Sequence, residues 1–177
     1  MASIGPLSPG TMADDATVGT VSWTNPDNAK VSDNVYAVIG DQNITSHYLK
    51  ATNFGFSIPT GATINGILVE IERKASSSVR VKDSSVKIVK ADSTLGSTNK
   101  AYINDLWPNT DAYKSYGSSS DLWDETWTAE NINDVDFGVV LSAINTISTT
   151  FSVDHIRITV YYTEVAAAST GNMFLVM

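Results

Sequence analysis

Between Ile64 and Lys74 the residues Ile67, Val69 and Ile71 occupy every second position, with Leu68, Glu70 and Glu72 between them. A repeat of two marks a half-buried β-strand, because successive side chains leave an extended backbone on opposite faces. The alternation resumes at Val79 and Val81, and at Val86 and Ile88 with Lys87 and Lys90 facing out. Phe137, Val139 and Leu141 alternate with Gly138, Val140 and Ser142, and Ile156, Ile158, Val160 and Tyr162 with Arg157, Thr159 and Tyr161. A strand with one apolar face must bury it against a second sheet. The chain is therefore expected to be all-β: an antiparallel two-sheet sandwich, jelly-roll-like, of about eight short strands.

Turn chemistry divides the rest. A strand over Val18–Trp23 is expected to close at Asn25-Pro26-Asp27-Asn28, and a short one to run from Asn34 to Ile39. A β-like stretch from His47 to Ile58 closes at Pro59-Thr60-Gly61, and Thr149–Val153 reads as an edge strand. Asp83-Ser84-Ser85 reads as a bulge or a shallow turn, Tyr102-Ile103 as a possible strand start, and Thr128–Asn133 as one helical turn with Thr128 as N-cap. Residues 1–17, with Gly5, Pro6, Pro9 and Gly10, read as an extended arm, and residues 18–164 as the sandwich domain. Residues 165–177 read as a small-residue linker followed by the apolar run Met173, Phe174, Leu175, Val176 and Met177. An apolar run of this kind is an aggregation hazard unless it docks, on its own domain or on a partner. Together with Ile4 and Leu7 of the arm, it supplies the expected assembly contacts.

Composition narrows function. The net charge is −8, and the few basic residues are interleaved with acids, so a phosphate backbone is a poor partner. There is no cysteine, which fits folding in a reducing cytoplasm. Residues 1–10 hold no Lys or Arg and no apolar run, unlike a signal peptide, and no segment approaches the length of a membrane span. No nucleic-acid or membrane partner is expected.

Catalytic chemistry has little to stand on. His47 and His155 both fall inside β-like runs and read as structural, and no nucleophile elbow, P-loop or dinucleotide fingerprint is present. Asp121, Asp124 and Glu125 are the one candidate carboxylate group for glycosidic chemistry, and they read better as loop charges. Asn25, Asp27, Asn28, Asp33, Asn34, Asp121 and Asp124 offer oxygen ligands for calcium, but in no EF-hand order. The expectation is a non-enzyme without metal or cofactor. The most site-like feature is the aromatic set Trp107, Tyr113, Tyr116, Trp123 and Trp127, for which core, subunit interface and glycan platform all remain open.

Three segments carry a resemblance: Ser8 to Ala37, Ala51 to Ala75 (ATNFGFSIPTGATINGILVEIERKA) and Val153 to Glu164 (VDHIRITVYYTE). Together they resemble a β-sandwich module of tailed-bacteriophage virion proteins, over about residues 8–164, with Phe54 to Arg73 (FGFSIPTGATINGILVEIER) as the most specific stretch. The resemblance implies a structural protein on the particle: a capsid decoration (cement) protein, a head fibre or a tail component. It implies assembly in the host cytoplasm, residence in the virion, the major capsid protein or another virion protein as partner, and homo-oligomers. It brings no catalytic residues. Binding of host-surface glycans is the alternative function.

Overall fold

The computed structural model describes residues 1–41, 43–76 and 81–165. Nine strands form the sandwich: β1 (Ala2–Leu7), β2 (Thr11–Asp15), β3 (Ala37–Asp41), β4 (Tyr48–Thr52), β5 (Thr63–Ala75), β6 (Val81–Val89), β7 (Ala112–Gly117), β8 (Gly138–Asn145) and β9 (Thr149–Thr163). One sheet has the order β1-β9-β5-β7, with β3 also on β9, and the other has β2-β4-β8-β6. All the strand pairs are antiparallel. Each successive strand lies in the opposite sheet, so no strand pairs with its neighbour in sequence.

The alternation read from the sequence sets the faces. In β5 the inward series Ile67, Val69, Ile71, Arg73 and Ala75 is buried, while Leu68, Glu70, Glu72 and Lys74 are half-buried on the outer face. Ile156, Ile158 and Val160 of β9 and Val139 and Leu141 of β8 join the same core. Each such aliphatic side chain contributes roughly 1.5–3 kcal/mol on full burial. A smaller cluster, Tyr48, Val89 and Val140, lies apart from it, covered by Val18 and Leu95.

Several expectations change. Residues 1–17 do not form a free arm: β1 pairs with β9 and β2 with β4. Ile4 and Leu7 are half-buried against the chain's own core, which uses them as packing groups of this domain. The period of β1 is hidden by Gly5 and Pro6, at a break in the β1–β9 register. Val18–Trp23 is not a strand, and only Val21 makes a bridge there, to Ser46. Gly19 interrupts the extended backbone there, with φ 71° in the left-handed region, and it lies so close to Thr45 and Ser46 that a Cβ would collide with them. Thr149–Val153 is no separate edge strand but the first part of the 15-residue β9, which continues across a register shift at Asp154. Asp83–Ser85 is a bulge within one β6 strand, as one of its two readings had it. The turn at Thr128 has the expected cap: its hydroxyl accepts from Asn131 N–H (3.2 Å) while Asn131 Oδ1 accepts from Thr128 N–H (3.1 Å). Met173 to Met177 lie outside the described residues.

Candidate functional site

The alternation that buries Val81 also turns Asp83 inward, and the one that buries Ile71 turns Arg73 inward. The two meet between the sheets as an ion pair, with side chains 0% and 2% exposed. Asp83 Oδ1 accepts from the Arg73 guanidinium and from Trp107 Nε1 (2.8 Å). Asp83 Oδ2 accepts from the Tyr116 hydroxyl (2.9 Å) and the Tyr102 N–H (3.0 Å). Burial drives the Tyr116 phenol far above its usual range, and the Asp83 carboxylate adds to this, so the hydroxyl remains a donor. The guanidinium lies 4.8 Å from the Trp107 ring centroid, which offsets in part the buried, unpartnered Arg73 Nε.

The aromatic segment is consumed by this interior. Trp107, Tyr116, Trp123 and Trp127 are all buried, as is Trp23, so core is the role they take among the three left open. Tyr113 is half-buried on the outer face of β7, with the Arg157 guanidinium 3.9 Å from its ring centroid. Stacking on a sugar ring needs an open aromatic face, and the described tryptophans offer none.

The acids near Trp123 serve the same end. Trp123 and Asp124 both have left-handed backbones (φ 59° and 56°), an unfavourable conformation for a bulky residue. Asp121 accepts from Trp123 N–H (2.8 Å) and pairs with Lys100 (2.7 Å). Asp124 accepts from the Thr98 hydroxyl (2.7 Å), and Glu125 from Ser97 N–H (3.1 Å). Trp123 Nε1 in turn donates to Ile67 C=O (3.0 Å). Gly117 permits this approach: a Cβ there would collide with the Ile67 carbonyl and lie 2.7 Å from Trp123 Nε1. The three carboxylates fasten residues 97–100 and do not face one another across a cleft.

Both histidine rings are held by neighbouring side chains. His47 Nδ1 lies 2.7 Å from Asp14 Oδ2. His155 Nε2 lies 2.8 Å from Ser8 Oγ and its Nδ1 2.9 Å from Tyr113 Oη, tying the β1–β2 connection to β9 and β7. Burial and the nearby Arg157 charge hold the His155 imidazole below its usual range. Among the proposed oxygen ligands, Asp27 pairs with Lys30 (2.8 Å), Asn28 Nδ2 donates to Tyr36 C=O (3.0 Å), and Asp33 Oδ1 accepts from Val35 N–H (3.0 Å). Among the described residues, no group of three or more His, Cys, Asp or Glu side chains is arranged to hold a metal.

An opening lies where the loop before β7 meets β7. It is a cleft of about 440 Å³ with Leu106, Pro108 and Ala112 as apolar lining and Asn104, Asp105 and Lys114 as polar lining, alongside Arg73 and Tyr113. Lys114 pairs with Asp105 (2.8 Å), which holds that carboxyl below its usual range, and lies 3.6 Å from the Tyr102 ring centroid. Ile103 (60% exposed) and Leu106 (42%) are among the exposed large apolar side chains. Leu106, Lys82 and Ile144 are successive cross-strand partners, so Leu106 and Ile144 flank the Lys82 stem. The loop also covers the edge of β6, through Trp107 N–H to Val81 C=O (2.9 Å) and Lys100 N–H to Val86 C=O (2.9 Å). The free side of β7, by contrast, ends its sheet.

The sequence reading missed this cleft. Its residues show no period, and the one legible signal was the apolar Leu106 and Pro108 in the loop before β7.

No family model matches the sequence, and no curated protein matches it. Seven solved chains resemble the structure. The BiXyn10A CBM1 module in its apo form has a TM-score of 0.41 and 11% identity, over 86% of this chain and 98% of that one. The N-terminal cellulose-binding domain of Cellulomonas fimi β-1,4-glucanase C has a TM-score of 0.35 and 9% identity, over 87% and 94%. Infectious bursal disease virus VP2, as a subviral particle, has a TM-score of 0.33 and 14% identity, over 75% and 34%.

Proposed function

We propose that this chain is a structural module of a bacteriophage particle, a decoration or head-surface protein that binds neighbouring virion proteins and carries out no reaction. The observation that supports it most is the apolar lining of the cleft at the β7 edge, Leu106, Pro108 and Ala112, while the tryptophans that would grip a substrate are buried in the core and the acids Asp121, Asp124 and Glu125 are engaged with Trp123 and residues 97–100. An open strand edge bordered by apolar side chains is the surface a neighbouring protein covers. Attribution to a phage rests on the sequence resemblance over residues 8–164. The major capsid protein is the first partner to test. Purified chain is expected to co-sediment with virions, and mass spectrometry of those virions is expected to find it as a component. Absence from the particle together with no binding to any virion protein would overturn the reading.

A glycan-binding reading draws on the cleft instead of the tryptophans, because Asn104, Asp105 and Lys114 put amide, carboxylate and ammonium groups beside Tyr113. Binding on a glycan array that disappears in Asn104→Ala would favour it over the assembly reading.

A further inference from the structure

We infer that copies of this chain join head to tail, with the exposed turn Asp134-Val135-Asp136 of one copy seated on the surface formed by Leu106, Lys82 and Ile144 of the next. This rests on the assembly reading above and names a second copy as partner and the contact it makes. Lys82 lies between buried Val81 and buried Asp83, so its side chain leaves the outer face of the four-stranded sheet. Leu106 and Ile144, its cross-strand neighbours, are both exposed beside it. Lys87 and Lys50 share Val140 as cross-strand partner farther along the same face. Among the described residues, none of these three lysines pairs with a carboxylate. In the other sheet, by contrast, Arg73, Lys74, Lys114 and Arg157 are each paired. A face of unpaired ammonium groups with apolar side chains between them suits an acidic surface with an apolar tip.

The chain itself carries such a surface. Residues 121–136 include Asp121, Asp124, Glu125, Glu130, Asp134 and Asp136 and no Lys or Arg. The last three positions are all exposed, Val135 at 63%. Asp134 accepts from Asp136 N–H (2.8 Å) and Asp136 from the Ser93 hydroxyl (2.9 Å), which holds the turn while neither carboxylate meets a cation. Asn53 N–H donates to Val135 C=O (2.8 Å), and Phe137 is buried just beyond, so the turn is fixed on the domain. Val135 would pack on Leu106 and Ile144 while a flanking carboxylate meets the Lys82 ammonium. The occupant is a second copy because the two surfaces lie at opposite ends of β8. The turn comes just before Gly138, and Ile144 is near the far end of the strand. From Gly138 to Ile144 the strand rises roughly 20 Å, at about 3.3 Å per residue. β8 is held between β4 and β6, so it cannot fold back to bring its own two ends together. A contact between two different surfaces propagates, closing into a ring or continuing as a filament.

Sedimentation equilibrium of the full chain in low and high salt tests this, alongside Lys82→Glu and a variant carrying both Asp134→Lys and Asp136→Lys. Lys82 faces outward and both acids are exposed, and thermal melting checks that the variants remain folded. The full chain is expected to self-associate, less so as salt screens the contact. Each variant alone is expected to associate at least about tenfold more weakly. A chain carrying all three substitutions again places opposite charges across the contact, and its association is expected to recover. That recovery is a result that a fold defect would not produce. Self-association that neither variant weakens, or that the combined chain fails to restore, would overturn the proposal. So would a full chain that stays monomeric; if that monomer still co-sediments with virions, the assembly reading stands without this contact. Self-association with the expected charge dependence but no binding to any virion protein would do the reverse.

Discussion

Two arginine–carboxylate pairs leave β5 in opposite directions. Arg73 points inward to Asp83 on β6, and Glu70 points outward to Arg157 on β9. The outer pair has the fork geometry that suits a guanidinium, with Arg157 Nε to Glu70 Oε2 at 2.9 Å and Nη2 to Oε1 at 3.2 Å. Yet its side chains are 29% and 19% exposed, and water screens what the geometry offers. The inner pair is shut away from water, and Trp107, Tyr116 and Tyr102 share its carboxylate. Removing a partner from a partly solvated pair leaves a charge that water can take up. Removing Asp83 leaves a buried guanidinium and three donors with nothing to accept from them. Burial, more than hydrogen-bond geometry, is expected to set the weight of each pair.

The largest expected effect is that of Asp83→Ala, a loss of about 3–5 kcal/mol in urea unfolding, because an uncompensated charge stays buried. Trp107→Phe keeps the ion pair and removes one donor and some ring volume, and a loss of about 1–3 kcal/mol is expected by the same measurement. A loss as large as that of Asp83→Ala would show that packing, not the charge, dominates the interior.

Stability against pH separates two further acids by sign. Burial pushes Asp121 up, but the Lys100 ammonium and the Trp123 N–H outweigh it and hold the carboxyl below its usual value. Its contribution is complete above the ordinary carboxylate pKa of about 4 and is lost as pH falls through the lowered value. Asp154 behaves oppositely. Burial raises it, the N–H groups of Asn34 and Asp33 oppose this, and the charges of Glu72 and Asp111 add to the rise. Its contribution is therefore largest when protonated and declines as pH rises from about 4 through the raised value. Thermal melts across pH should show Asp121→Asn flattening the acid limb and Asp154→Asn flattening the decline on the other side. The same slope change from both variants would contradict this assignment. The smallest effect is expected from Glu70→Gln, at most about 1 kcal/mol and weaker still in high salt. A loss comparable with that of Asp83→Ala would break the comparison between the two pairs.

Much of the inner pair was legible before the fold was known. The series Ile67, Val69, Ile71 leads in steps of two to Arg73, and Val81 leads to Asp83, so alternation alone puts both charges on inward faces. Counting them only among the interleaved acids and bases overlooked that step. The cleft was less legible, because Leu106, Pro108 and Ala112 come together only where a loop turns back along β6 and into β7. The aromatic segment left three roles open because ring content says what a residue can bury and not whether it is buried. The interior decided that through Asp83 and the Ile67 carbonyl, which receive the ring and hydroxyl donors.

By itself the sequence determined the alternation of faces in β5, β6, β8 and β9, and with it an all-β sandwich. Only the tertiary structure decided which strands pair. Period two is a local property of an extended backbone, whereas pairing joins Ala2 to Tyr162, Tyr116 to Val69 and Leu49 to Leu141. Hairpins would have made such partners readable from their turns. Here every connection crosses to the other sheet, so partnership is settled by how the two buried faces fit, and residues 1–17 pass from an expected arm into both sheets for the same reason.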